Sequence, residues 1–528
     1  MEFFGTAFAN LGGGFATAFE PFNLAMIALG VVLGLVIGIL PGLGATSGVA
    51  ILLPVTVVIA DASPTGSTSA VMLLAGIYWG ALFGGVITSI LFNIPGEPWA
   101  VALLFDGFPL AKRRGRPGLA LTSAFVASLI GAMIAVILFT LFAEPLARFA
   151  LRFGPPELFA VFVMAFATLV GFESANPLKA LMMIAFGLLL ASVGFDSLTG
   201  QPRLAFGQIG LLSGIGFIPV AIGLFGIGEI LASAEESGAK FMQDISAKLG
   251  LKDLKEALGH LRRRARMIIA NSLIGFWIGV LPGTGATPAS FLAYGIARQY
   301  SSEKVKANFG RGEVGGVMAP QAAADAAGVG ALLPMVALGV PGSPTAAVIL
   351  AGLYVWGLQP GPLLFVEQSD FVWGLIASIY LAHTLAFTLC MLAVPLFAMI
   401  MRAPYAILTP FIIIISTIGA YSINNSMLDV FITVIFGVIG YWLRKMKYPL
   451  APLVVALVLG GATERALRQS LIAGQEGGIA IFVSTPLSTT LFILAFAVIM
   501  LPVIQTILRR RRPKPATPPG VEADDLIE

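Results

Sequence analysis

Residues 37–46 read IGILPGLGAT, and residues 278–287 read IGVLPGTGAT, with eight of ten positions identical. Both copies are uncharged and sit inside long apolar runs. Proline removes a backbone donor and glycine relaxes the helical limits on φ and ψ, so each copy interrupts a helix. At membrane depth such an interruption is tolerated only where it is buried in protein or lines a cavity. Matched interruptions in corresponding halves of a chain point to the binding site of a secondary transporter. The duplicated break therefore predicts two repeats around one site.

Composition makes a membrane the solvent. Only 11% of the 528 residues are charged and 58% are hydrophobic, with mean hydropathy +0.94, against about 25% charged in soluble domains. Uncharged runs at 21–60, 62–96, 267–297, 326–366, 371–401 and 477–508 can each cross about 30 Å of hydrocarbon. The expected fold is an all-α polytopic membrane protein with roughly ten to fourteen membrane segments. The net charge of +4 comes from basic clusters at segment ends, so it reports topology and not nucleic-acid binding. One cysteine, Cys390, excludes an internal disulfide and any cysteine-based metal cluster. Residues 1–20 lack a basic leading region, which predicts no cleavable signal peptide.

The halves follow one order. After a lead-in at 1–20, the first repeat occupies 21–233, a polar cytoplasmic linker helix 234–266, and the second repeat 267–509. The tail at 510–528 is rich in proline and charge and is expected to be disordered. Each repeat carries a second break, or tip: Asn93-Ile94-Pro95-Gly96-Glu97-Pro98 in one, Gly339-Val340-Pro341-Gly342-Ser343-Pro344 in the other. No lysine or arginine precedes Lys112, whereas basic residues crowd 252–311 and then vanish until Arg402. Cytoplasmic loops concentrate Lys and Arg. The loop after the first break is thus expected outside and the loop after the second inside, an inverted-topology repeat with a cytoplasmic C-terminus.

Several stretches together resemble the large membrane subunit of the tripartite tricarboxylate transporters, the TctA family. They are residues 38–46, 74–96 (LAGIYWGALFGGVITSILFNIPG), Asp106-Gly107, 203–229, 279–287, 315–342, and 441–471 with its YPLAPL and terminal ERALRQSL. The resemblance covers most of 20–490. It implies a bacterial inner-membrane permease working with a small membrane subunit and a periplasmic solute-binding protein. The implied cargo is a carboxylate driven by a sodium or proton gradient, with no other cofactor and no enzymatic activity. Three places depart from the family pattern. Glu97 stands where a small hydroxyl residue is usual, residues 321–326 read QAAADA in place of an EAANNA-like run, and 99–105 read WAVALLF.

The candidate substrate cradle comprises Gly42, Gly44, Thr46 and Ser47 with Gly283, Gly285, Thr287 and Ser290 at the breaks. At the tips it adds Asn93, Gly96 and Glu97 with Gly342, Ser343 and Thr345. Helix N-termini offer free N–H groups and a positive dipole end, able to hold a carboxylate without arginine. The competing readings are packing kinks at the breaks and simple capping at the tips. Gln321 and Asp325 are the candidates for cation coordination or proton coupling, against a plain loop residue. Glu464, Arg465 and Arg468 read as a structural charge group, His383 as a hydrogen-bonded helix contact, and Tyr78 and Trp79 as packing. A passive channel and an intramembrane lipid-handling protein or enzyme are the alternatives; no catalytic motif favours the latter.

Overall fold

In hydrocarbon a backbone must satisfy its own polar groups, so apolar runs of this length become helices. The computed structural model describes residues 2–40, 43–62, 65–172, 176–196, 199–236, 249–400 and 405–511. The first part holds α1 (Glu2–Ala18), α2 (Pro21–Ile39), α3 (Ala45–Asp61), α4 (Gly66–Phe92), α5 (Ala100–Phe108), α6 (Pro117–Ala150), α7 (Pro155–Phe172) and α8 (Pro177–Ala191). A two-residue hairpin, β1 (Gly194–Phe195) and β2 (Pro202–Arg203), precedes α9 (Phe217–Ala221), a π-helical turn at Ile222–Ile227 and α10 (Gly228–Glu236). Next come α11 (Leu251–Arg263), α12 (Ala265–Val280), α13 (Ala286–Gln299), α14 (Glu303–Lys306), α15 (Val314–Gly330), α16 (Leu332–Leu338) and α17 (Pro344–Val355). The chain ends with α18 (Leu364–Glu367), α19 (Ser369–Ile400), α20 (Tyr405–Asn424), α21 (Met427–Lys445), α22 (Leu450–Ala473) and α23 (Pro486–Arg511). Among the described residues seven helices are long and apolar enough to cross a membrane, with shorter apolar helices between them. This is an all-α polytopic membrane protein. Part of the expected linker (237–248) and most of the expected tail (512–528) lie outside the described residues.

Glycine sets how the central helices cross. A Cβ on Gly30, Gly34 or Gly38 of α2 would strike the carbonyl oxygens of Leu73, Ile77 and Ala81 on α4. Gly275 and Gly279 of α12 meet Ala323 and Ala327 of α15 in the same way. Small residues allow this backbone approach where lipid supplies no hydrophobic drive. Residue numbers rise together on both helices of each pair, so each pair is parallel. The tips repeat the match: Gly96 lies against Gly38 and Gly85, and Gly342 against Gly279 and Ala331.

The breaks turn the chain around, which refines the expectation of an interrupted span. Gly48 rests on Ile37 and Ile77, while Gly66 abuts the carbonyls of Ile59 and Ala60. So α3 runs back along α4, and α2 and α3 form a hairpin. In the second half Ala297 clusters with Ala319, and Ala289 and Ala293 with Ala323 and Ala327, giving α13 the same reversal.

The halves also exchange their long helices. Gly131 of α6, a helix of 34 residues, packs on the backbone of Ala322 in α15, and Phe142 meets Trp277 of α12 at 5.3 Å. The 32-residue α19 covers the first half: Gly374 lies against Met72 and Thr68 of α4, and the His383 ring lies tilted against Trp79 at 4.4 Å. The two long helices touch where Thr140 meets Tyr380 at 3.1 Å. The lead-in, folded as α1, packs on α19 through Gly14 against Trp373 and Phe15 against Tyr380. Outside this centre α7 pairs with α23, α8 with α22, and the π-helical turn with α21 through Gly223, Ile227 and Gly437.

Candidate functional site

The first break leads to Glu97. Gly44 is the N-cap of α3 and contributes no side-chain cap. The space a Cβ would need there is filled by the Glu97 carboxyl group, whose Oε1 accepts the Ala45 N–H. Its Oε2 accepts the Trp99 indole N–H at 2.8 Å. An acidic side chain from the tip thus caps α3, where the helix end favours negative charge. Asn93 holds the left-handed conformation that ends α4, at φ 59°, and Gly339 does the same for α16 at φ 70°.

The second break is closed by backbone. Gly283 and Gly285, both at positive φ, donate to the carbonyls of Pro341 (3.2 Å) and Gly342 (3.0 Å) in their own tip. Ser343, which occupies the place of Glu97, turns inward and accepts the Ala346 N–H of α17 at 3.1 Å. The N-cap of α13 is Gly285, which makes no side-chain cap. Thr284 instead bonds to the carbonyls of Ile278 and Leu281 behind the bend.

Each hairpin then meets the other half's tip. Thr46 Oγ1 lies 2.8 Å from Thr345 Oγ1, and Ser290 Oγ donates to the Trp99 carbonyl at 2.9 Å. The Tyr78 hydroxyl faces Ser343 and Thr345 and touches Gly328. Ser47 is buried, whereas Thr46, Glu97 and Thr287 keep partial exposure. Gly42 lies outside the described residues. Gly44, Thr46, Gly96, Glu97, Gly283, Gly285, Ser290, Gly342, Ser343 and Thr345 make the contacts of this junction of two hairpins and two tips. Ser47 and Thr287 stand on its helices, and Asn93 is exposed at the end of α4. None of the contacts named here comes from a lysine or arginine.

Gln321 and Asp325 lie one turn apart on α15, both buried, and Gln321 Nε2 donates to Asp325 Oδ2 at 2.7 Å. Among the described residues Asp325 Oδ1, Gln321 Oε1 and the hydroxyl of Ser128, which faces the carboxylate from α6, make no hydrogen bond of good geometry. Unpaired buried oxygens are costly. Three of them around one carboxylate suit a hard cation with oxygen ligands, or a proton. In the sequence Tyr78 reads as packing, Trp99 enters only as the start of the WAVALLF departure and Ser128 is not singled out; distant packing brings all three here.

The remaining polar candidates are structural. Arg203 holds Glu464 through two bonds of 2.7 and 3.0 Å, Arg468 holds Asp196 at 2.8 Å, and Arg468 reaches Glu464 at 3.3 Å. The group ties the β1–β2 hairpin to α22. Buried His383 bonds through Nδ1 to the Ile379 carbonyl at 2.9 Å.

Comparison with known proteins decides what this junction belongs to. The profile of the Tripartite tricarboxylate transporter TctA family matches residues 24–455, taking in both hairpins, both tips and the buried carboxylate. The chain belongs to the TctA family. It is a membrane transporter component of the tripartite tricarboxylate type. A relative from Agrobacterium vitis, "Uncharacterized 52.8 kDa protein in TAR-I ttuC' 3'region", is 36% identical over 503 residues, covering 95% of this chain and 97% of the relative. A second from the same organism, "Uncharacterized protein in TAR-II ttuC' 3'region", is 34% identical over 237 residues, covering 45% of this TctA-family chain and 97% of that relative. No solved structure matches the chain.

Proposed function

We propose that the chain is the large subunit of a secondary-active uptake system for a carboxylate solute, alternating access around the junction of hairpins and tips. The observation that carries this reading is the reciprocal contact between halves: Thr46 with the second tip, Ser290 with the first. A site shared by two similar halves can be opened from either side by moving one against the other. Cargo carboxylate is held by helix-terminal N–H groups and by the hydroxyls of Thr46, Thr287, Ser343 and Thr345, while Ser290 spends its one proton on the Trp99 carbonyl and braces the junction. Asp325, with Gln321 and Ser128, takes the coupling Na⁺ or H⁺, which neutralises an otherwise unpaired buried charge.

The inverted arrangement belongs to the same proposal. Three basic segments meet at one end of the molecule: Arg114 Nε donates to the Arg311 carbonyl at 2.8 Å, and Arg116 pairs with Glu256 at 2.7 Å. Asp106, closing α5, accepts the N–H groups of Gly312 and Glu313 there. The turn between α3 and α4 lies at the other end of α4, beside the start of α19. With basic loops cytoplasmic, the first hairpin opens outward and the second inward, in a bacterial inner membrane with the C-terminus inside. A small membrane subunit and a periplasmic binding protein complete the system, as the family's tripartite character implies.

Counterflow in proteoliposomes tests the carrier reading. A carrier loaded with unlabelled cargo accumulates labelled cargo transiently; a channel only equilibrates it, and an enzyme alters it. Equilibration without overshoot would overturn the proposal.

A further inference from the structure

We propose that Glu97 is a built-in carboxylate that fills the first of two anion sites, so that the carrier selects a solute with one carboxylate and an uncharged remainder. The inference rests on the carrier reading and narrows its substrate class. Gly96 and Gly342 pack on the carbonyls of Gly38 and Gly279, so the residues that follow them, Glu97 and Ser343, hold corresponding places. Both Glu97 oxygens are engaged, one by the leading N–H of α3 and one by the Trp99 indole. Gly44 leaves the room this carboxyl group occupies. In the other half Ser343 spends its oxygen on α17, and the N-cap of α13 is Gly285, which has no side chain to offer its leading N–H groups.

The two helix ends are therefore unequal. One already carries a negative group, and the other is open to one. A cargo with two or three carboxylates would set a charge beside Glu97, among the neutral side chains of Thr46, Trp99, Tyr78, Ser343 and Thr345, with the Asp325 carboxylate also acting on Tyr78. Like charges sharing a poorly solvated site repel strongly. Hydroxyl and aromatic groups suit a neutral remainder that bears hydrogen-bonding or ring atoms.

The full-length chain in lipid nanodiscs is titrated calorimetrically with single-carboxylate probes (glycerate, pyruvate, benzoate) and with succinate and citrate. The expected result is at least tenfold tighter binding of the best single-carboxylate probe than of succinate or citrate. Glu97→Ser, which copies the second tip, is expected to reduce that ratio at least tenfold by admitting succinate. Glu97→Gln, which keeps the side chain's size, is expected to move it the same way, and it decides if the serine variant fails to fold. Succinate or citrate binding the unaltered chain as tightly as any single-carboxylate probe would overturn the inference. So would folded variants with unaltered preference. Either result leaves the carrier reading standing. No binding of any probe, with no counterflow of any of them, would overturn both.

Discussion

Thr46 and Thr345 stand hydroxyl to hydroxyl, 2.8 Å apart, although 299 positions separate them. One belongs to the N-terminal turn of α3 and the other to that of α17. Replacing Thr345 by valine keeps the shape and strands the Thr46 hydroxyl, at a cost of about 1–3 kcal/mol if no water replaces it. Initial uptake by Thr345→Val is expected to fall about tenfold at matched expression, the rate equivalent of about 1.4 kcal/mol. Adding Thr46→Val is expected to restore part of the loss, because no hydroxyl then lacks a partner. Strictly additive effects in the double variant would show that the two residues act independently.

Asp325 is expected to link cargo to the ion gradient. Asp325→Asn keeps the size and the bond to Gln321 while removing the charge. It should abolish accumulation under either a sodium or a proton gradient, while exchange of cargo for cargo survives. Accumulation that keeps the unaltered ion dependence would remove Asp325 from the coupling role.

Orientation can be read chemically. Buried Cys390 is replaced by serine, and single cysteines are placed at Ser67, beside the α3–α4 turn, and at Ser302, in the exposed loop after α13. An impermeant thiol reagent should label the first only from outside and the second only from the cytoplasmic side. Labelling of both from one side would sink the inverted arrangement.

The Arg116–Glu256 pair predicts a small acid-sensitive contribution to stability. Its hydrogen bond to Arg116 lowers the Glu256 pKa below the ordinary value. A carboxylate depressed in the folded state stabilises fully above its unfolded pKa of about 4.3, and that contribution fades as pH drops through the folded value. Both side chains are more than a third exposed, 42% and 35%, so the pair contributes at most about 1 kcal/mol. Thermal unfolding of Glu256→Gln should therefore match the unaltered chain near pH 3 and lie slightly below it at pH 7. An equal difference at both pH values would assign the loss to packing.

The architecture was legible in the sequence where composition repeats itself. The two PGxGAT segments and the PGEP and PGSP tips announce the breaks they form. The reversal at each break was not legible, since proline and glycine permit a kink and a turn alike. Glu97 stood out as a departure from the family pattern, yet its partners at Ala45 and Trp99 depend on how the tip folds back. Tyr78 reads as packing, and Ser128 carries no local signal. A hydroxyl in an apolar helix becomes informative only once the opposing helix is known, and here that helix comes from the other half of the chain.

The exchange of α6 and α19 bears on how the protein is made. Nearly all of α4 is buried, and one of its covers is α19, which the ribosome adds only after the whole of α5 to α18. During synthesis the face of α4 that carries Thr68, Met72 and Trp79 must wait in lipid, or against a passing helper, before its permanent neighbour arrives. The first half cannot mature alone, so premature termination anywhere before α19 leaves an unfinished core and invites degradation.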